Sequence, residues 1–367
     1  MAGRIVVFGA TGYTGGLVSG ALVKRGVRPV LAARSEEKLA ALADELGGGL
    51  ETRTADVSEP AGVRALVERG DVLVSTVGPF IRWGAPAVEA AIAAGAHYID
   101  STGEPPFIRR VFEEWGPQAE RAGCGLLTAF GYDYVPGNLA GGLVLDRAGE
   151  KARKVAVGYF LKGVGRSMGD AASGGTLASL GGVIAEHHFA FRDGRLVSER
   201  SAKRVRSFAF AGRDLTGISI GSTEHFTLPR IRPELREVDA YLGWFGPASR
   251  GMQVFSLTTE LPGVRAAIGA LSGRLLKGST GGPDEETRAK SGSLFAAEAY
   301  GEDGRPIGRV TLEGPNHYTL TGEVMAWAAQ RAAEHGLEGS GALGPVDGFG
   351  LQALEAGCAE IGLAEMG

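Results

Sequence analysis

The opening 35 residues constrain this chain more than any other stretch. Arg4-Ile5-Val6-Val7-Phe8 is a short apolar run of the kind that forms a buried parallel strand. It leads into Gly9-Ala10-Thr11-Gly12-Tyr13-Thr14-Gly15, three glycines at intervals of three. From Thr14 to Lys24 the apolar Leu17, Val18, Ala21 and Leu22 recur on one helical face, and a second strand is expected over Pro29 to Ala33. Glycines at this spacing let the backbone turn tightly and approach a pyrophosphate, whose charge then meets the N–H groups of a helix N-terminus. In a chain with 60 glycines the turn alone says little. Strand before and helix after make it a dinucleotide site, with Gly9, Thr11, Gly12, Tyr13, Thr14 and Gly15 as its residues.

The end of the second strand selects the cofactor. A site for NAD usually has Asp or Glu there to bond the ribose 2′-OH, whereas a 2′-phosphate calls for a cation. Here Arg34 stands in that place, with Ser35 and Lys38 beside it. A guanidinium grips phosphate in bidentate fashion, so NADP(H) is the expected cofactor. The plainer alternative is a surface arginine heading a solvated helix.

The strand–helix alternation continues, and it predicts a doubly wound parallel sheet, that is, an α/β Rossmann domain over residues 1–130. Strands are expected at Leu50 to Val57, Asp71 to Val77, His97 to Asp100 and Gly125 to Phe130. Helices are expected at Ala61 to Glu68, Ala85 to Ala94 and Pro106 to Arg121. The rhythm then changes to antiparallel-type patterns: Lys154 to Leu161, an Asp-Gly hairpin within Phe189 to Val197, Val205 to Phe210, and Gly217 to Ile220. Leu294 to Tyr300 and Arg309 to Leu312 follow, joined by Glu302-Asp303-Gly304. A second α+β domain on a mostly antiparallel sheet is therefore expected over 131–315. Two helices, Leu320 to Glu334 and Leu351 to Ile361, fall in a C-terminal segment, 316–367, that can return to the first domain.

Composition sets the outer bounds. A net charge of −4 argues against nucleic acid, whose partners are normally basic. Cys124 and Cys358 suit neither a metal site nor a disulfide framework, which fits a reducing cytoplasm. The N-terminus enters a strand at once, so no signal peptide is expected, and Ala171 to Ala185 is too short and too rich in small residues to span a membrane.

Beyond the glycine turn, the segments Ser75-Thr76-Val77-Gly78-Pro79-Phe80, His97-Tyr98-Ile99-Asp100-Ser101-Thr102-Gly103-Glu104 and Gly131-Tyr132-Asp133-Tyr134-Val135-Pro136-Gly137 stand out. With them the chain resembles the saccharopine dehydrogenase-like NADP-binding oxidoreductases. Ser173-Gly174-Gly175-Thr176 resembles their trans-acting enoyl reductase branch. The likeness covers about the first 140 residues and thins beyond about 190. It implies an NADPH-dependent reductase that passes hydride to a C=C or a C=N of a small or carrier-tethered substrate. The resemblance leans toward C=C, whereas the lack of an unmistakable acid in the sequence leans toward C=N, so both bonds stay open.

Read residue by residue, Val77-Gly78-Pro79-Phe80 follows the fourth strand at the carboxyl edge, where ligands bind in open α/β sheets. Gly78 would let the backbone approach the nicotinamide ribose and Pro79 would stiffen the loop. Asp56 and Val57, after the third strand, are candidates for the adenine. Glu104 either bonds substrate or cofactor or serves as an early-turn helix residue favoured by the dipole. Asp133 either takes part in catalysis or caps the helix near Val135, and Tyr134 is the first choice of proton donor.

Other readings fare worse. A short-chain dehydrogenase needs lysine four residues after its tyrosine, whereas Tyr159 and Lys162 are three apart. Gly-x-Ser-x-Gly occurs at Gly165 to Gly169 and at Gly217 to Gly221, the second inside a strand pattern that is wrong for a nucleophile elbow. His187 and His188, placed on different faces of a helix, give no metal pair, and no metal is expected. His225 serves as an acid or base or, more simply, as a structural residue. The basic run from Arg195 to Arg206 is a solvated face, or attracts a substrate carried on coenzyme A or an acyl carrier protein. A non-catalytic NADP(H)-binding sensor or scaffold stays open as the rival from another class, and a homodimer stays open as the assembly.

Overall fold

The structure, a computed structural model, describes residues 3–163, 187–210, 212–261, 264 and 281–366. Two compact units divide it. The first comprises Met1–Thr102, Phe107–Asp133 and Tyr318–Ala353, and the second Gly103–Pro106, Tyr134–His317 and Leu354–Gly367. The chain thus leaves the first unit, builds the second, and returns. The expected segment 316–367 is shared, with 318–353 in one unit and 354–367 in the other.

In the first unit β1 (Ile5–Phe8), β2 (Val30–Ala33), β3 (Thr52–Thr54), β4 (Val72–Ser75), β5 (His97–Asp100), β6 (Gly125–Leu127) and β15 (Gly341–Ala342) form one sheet. Their order is β15-β6-β5-β4-β1-β2-β3, and every pairing is parallel. β1 lies between β2 and β4, so the strand order reverses there, which opens a crevice at the carboxyl ends. β1, β2 and β4 are buried throughout, as continuous apolar runs require. Eight helical pieces accompany the alternation: α1 (Tyr13–Lys24), α2 (Glu36–Glu45), α3 (Pro60–Arg64), α4 (Phe80–Trp83), α5 (Ala85–Ala94), α6 (Pro105–Arg110), α7 (Gly116–Ala122) and α8 (Val135–Ala148), the last opening the second unit.

Several expected elements are shortened for identifiable reasons. The third strand shrinks from eight residues to Thr52–Thr54, an edge strand exposed throughout. The strand from Asp71 to Val77 keeps only Val72–Ser75, and the one from Gly125 to Phe130 only Gly125–Leu127. The single helix expected over Pro106 to Arg121 is α6, a π-helical turn at Val111–Trp115, and α7. Pro117 brings no amide N–H to that junction, which accounts for the irregular ladder.

The C-terminal helix His317–His335 completes the first core. Its Leu320, Val324, Met325, Ala328 and Ala329 are fully buried. Tyr318 meets Tyr13 edge to face at 5.0 Å, Trp327 meets Phe349 at 4.8 Å, and Phe349 meets Phe130 at 5.7 Å.

In the second unit β7 (Lys154–Lys162), β8 (His187–Arg192), β9 (Arg195–Arg200), β10 (Val205–Phe210), β11 (Arg213–Ile220), β12 (Glu237–Leu242), β13 (Gly292–Tyr300), β14 (Pro306–Pro315) and β16 (Ala364–Glu365) form a second sheet. The path is β10-β11-β12-β7-β13-β14-β16, with the β8–β9 hairpin attached to β12. Only β7 with β12 is parallel. Asp193 and Gly194 turn the β8–β9 hairpin at φ 50° and 77°, as their dipeptide signals. Ala156, Phe160, Phe208, Phe210, Tyr241, Leu294 and Ala296 make an apolar cluster.

Two sequence expectations are corrected here. His187 and His188 lie on β8, not on a helix. The sequence reading also passed over β12, whose Asp239 interrupts an apolar run. The structure balances that buried aspartate with Arg192, Arg204 and Lys154. Ser219 of the second Gly-x-Ser-x-Gly sits on β11 and accepts the Arg204 amide at 3.0 Å, as a strand residue would. The first such match and Ser173 to Thr176 lie outside the described residues. Among the described residues no helix is long and apolar enough to cross a membrane.

Candidate functional site

The glycine turn sits between β1 and α1, and its three glycines do different work. Gly9 has φ 90°, a conformation open to glycine, and its N–H bonds the Ala32 carbonyl at 2.8 Å. A methyl group on Gly9 would meet Thr76 Oγ1 at 2.7 Å. A methyl on Gly15 would run into the Gly9 carbonyl, so Gly15 is what lets α1 close on the turn. Gly12, the residue before α1, has among the described residues only the Gly9 carbonyl near, at 3.2 Å, and leaves a cradle on its other side. No side chain caps α1, and no carboxylate occupies its first turn. Its N-terminal dipole therefore faces that cradle without an internal anion, the arrangement that suits a pyrophosphate.

Thr11, Tyr13 and Thr14 belong to this turn and the first turn of α1. Arg34 follows β2 directly, with its side chain 79% exposed and its Nε 3.9 Å from Asp56 Oδ2. Ser35 accepts the Lys38 amide at 3.3 Å and so caps α2, which makes its hydroxyl a helix-forming group. Asp56 accepts both the amide and the hydroxyl of Ser58, at 2.8 and 2.7 Å, and these bonds hold its carboxyl below the usual range. Val57 is half-buried beside it. At the neighbouring strand end, Val77 and Gly78 lead through a cis bond into Pro79, and Phe80 starts α4 against Phe107 at 5.6 Å.

One residue of this edge was missed in the sequence. Asp100 at the end of β5 is fully buried, and its Oδ1 accepts the amides of Thr102 (2.8 Å) and Ala129 (2.9 Å). Ala129 is held at φ 54°. Burial raises the Asp100 carboxyl to about 6 against the pull of those amides. The residue thus pins two loops of the carboxyl edge. Its position in the His-Tyr-Ile-Asp block was the available signal.

The three proposed catalytic residues fall as follows. Asp133, the last residue of its stretch of the first unit, keeps partial solvent access, yet the protein around it outweighs that opening and burial pushes its carboxyl up to about 7. Among the described residues it has no hydrogen-bond or ionic partner. The capping role is not seen, because Tyr134 is the residue that precedes α8 and no side chain caps that helix. Tyr134, in the second unit, is 2% exposed and meets Tyr159 edge to face at 5.5 Å. Its carbonyl accepts the Asn138 side chain at 2.8 Å. Glu104, also in the second unit, is 5% exposed and stands immediately before α6 rather than in its first turn. Within the second unit, buried Glu224 accepts the Tyr159 hydroxyl, and a methyl on Gly137 would collide with both groups. Gly137 therefore exists to admit this pair beneath α8.

A parallel sheet with a strand-order reversal at a glycine turn, an open helix N-terminus and an arginine after β2 define a dinucleotide-binding protein of the NADP class. Residues 5–124 match the family model described as the saccharopine dehydrogenase NADP binding domain, and NADP(H) is the cofactor of this domain. A Mycobacterium tuberculosis protein provisionally named a trans-acting enoyl reductase is 38% identical over 186 residues, which cover 48% of this chain and 43% of that protein. The trans-acting enoyl reductase of Mycobacterium ulcerans is 38% identical over 141 residues, 37% of this chain and 34% of that one. The chain therefore spans less than half the length of these curated relatives. Saccharopine dehydrogenase (L-Glu forming) from Saccharomyces cerevisiae shares the fold, at TM-score 0.61 and 12% identity over 100% of this chain and 99% of that one.

Proposed function

We propose that this protein is an NADPH-dependent reductase acting on a C=C bond conjugated to a carbonyl, in a substrate carried as a thioester. The single observation that supports the reaction type most is the glycine cradle with Arg34 in a chain whose relatives are named enoyl reductases. NADPH, when bound, supplies the hydride. Gly9, Thr11, Gly12, Tyr13, Thr14 and Gly15 hold its pyrophosphate, Arg34 with Ser35 and Lys38 its 2′-phosphate, Asp56 and Val57 its adenine, and Val77 to Phe80 its nicotinamide ribose.

Asp133 is our choice of proton donor, ahead of Tyr134. A donor must hold its proton near neutral pH and release it in the reaction, and a carboxyl raised to about 7 without a competing partner does both. Tyr134 is kept as the second choice of donor and Glu104 as the third. The same acid would serve a C=N substrate less well, since an iminium arrives already protonated.

The test is turnover of NADPH with enoyl thioesters, enones and cyclic imines, for the native chain and Asp133→Asn. Native kcat/KM should fall as pH rises through about 7, because only the protonated acid donates, and the variant should lose roughly 10²- to 10⁴-fold with that pH limb gone. Tight NADPH binding with no turnover on any substrate would leave a sensor or scaffold as the reading. Imine-only turnover would move the assignment to C=N.

A further inference from the structure

A second basic feature lies wholly within the second unit. A cavity of about 730 Å³ opens at one end of the second sheet, among Arg153, Lys154, Arg206, Arg236, Glu237 and Glu302. Two of its four cations are balanced. Lys154 Nζ is 2.7 Å from Glu237 and 3.5 Å from Asp239, and Arg206 pairs with Glu298 at 2.6 Å. The other two are not. Arg153 donates only to the carbonyls of Glu150 (2.6 Å) and Ala152 (3.2 Å), and Arg236 has no side-chain hydrogen bond or ion pair among the described residues.

These two uncompensated guanidinium groups issue from backbone that is itself bonded, since the Arg236 amide donates to the Arg153 carbonyl at 2.6 Å. The Arg153 amide in turn donates to the Tyr300 carbonyl at 2.8 Å, which fixes the pair against β13. Within the same wall, Arg206 Nε is buried with no partner. Like charges set side by side repel, and an anion with several oxygens relieves that repulsion while filling the arginine forks. The hollow has the volume of a small-molecule site, whereas a docked protein face needs a broader and flatter surface. We propose that this cavity binds a phosphate-bearing small anion at a site separate from the dinucleotide pyrophosphate.

Calorimetric titration of the full chain with inorganic pyrophosphate tests this, alone and with NADPH present. One site is expected, indifferent to NADPH. Replacing Arg153 and Arg236 together by Ala should weaken it by about tenfold or more, equivalent to about 1.4 kcal/mol. Glu302 is exposed and without a described partner, so Glu302→Gln leaves the fold untouched and should tighten binding by removing a nearby negative charge. Circular dichroism checks that the double variant folds. No binding at millimolar pyrophosphate, equal affinity in native chain and both variants, or displacement by NADPH would each overturn the proposal.

Discussion

Arg34 carries its charge at the end of β2 with Asp56 as its one nearby counterion among the described residues, and under the proposed role a 2′-phosphate would have to compete with that carboxylate. Arg34→Asp should therefore weaken NADPH by at least about tenfold while leaving NADH little changed, read by calorimetry on both nucleotides. Equal losses for the two would remove Arg34 from the phosphate site. His225 offers a stability experiment. It is 1% exposed, bonded through Nδ1 to Ser222, and burial holds its imidazole down at about 4. The unfolded chain takes up this proton below about 6.5 and the folded one does not, so this group costs stability as pH falls from about 6.5 to about 4. The full cost is on the order of 3 kcal/mol. Asp100 and Asp133 act in the opposite sense, because their raised carboxyls keep protons in the folded state that the unfolded state has lost. Denaturant melts of His225→Gln beside the native chain, at steps from pH 7 to 4, isolate the histidine. An unchanged difference across that range would show that the ring is protonated in the fold.

At the scale of elements, α8 makes the sharpest claim. Gly137→Ala drives a methyl into the Tyr159–Glu224 pair, so it should destabilise by about 1–3 kcal/mol, and a thermal melt reads it. A shift within error would mean that the buried pair has room to move. The same elements show what the sequence made legible. β1, β2 and β4 announce themselves because strands buried on both faces need uninterrupted apolar runs, and α1 because its glycine turn has a fixed spacing. The glycine turn itself was readable for the same reason, since its spacing between β1 and α1 is local. β12 was not, because its buried Asp239 is tolerable only once Arg192 and Arg204 arrive from β8 and the segment after β9. Nor was the importance of Asp100, which depends on a loop 29 residues further on. Long-range compensation leaves no periodicity behind. Gly137 reads as one glycine among many until Glu224 folds over it.

For the whole molecule, the first unit is assembled from both ends of the chain. The helix His317–His335 and β15 belong to its core and its sheet, and the Tyr132 amide bonds Thr321 Oγ1 at 3.0 Å. A chain ending at Asp133 lacks them. Such a piece should show no cooperative thermal transition and no NADPH binding, whereas 1–133 joined to 318–353 by a flexible linker should recover both. A sharp melt from the short piece alone would show that the returning segment is dispensable. The arrangement also bears on how the protein is made. On a ribosome, residues 134–317 emerge between the two parts of the first unit, an interval of roughly 10–40 s at ordinary elongation rates. Throughout that interval the nascent glycine turn has its strand and its helix but not the buried face of Leu320 to Ala329, so the first unit cannot close its core until most of the second has been made.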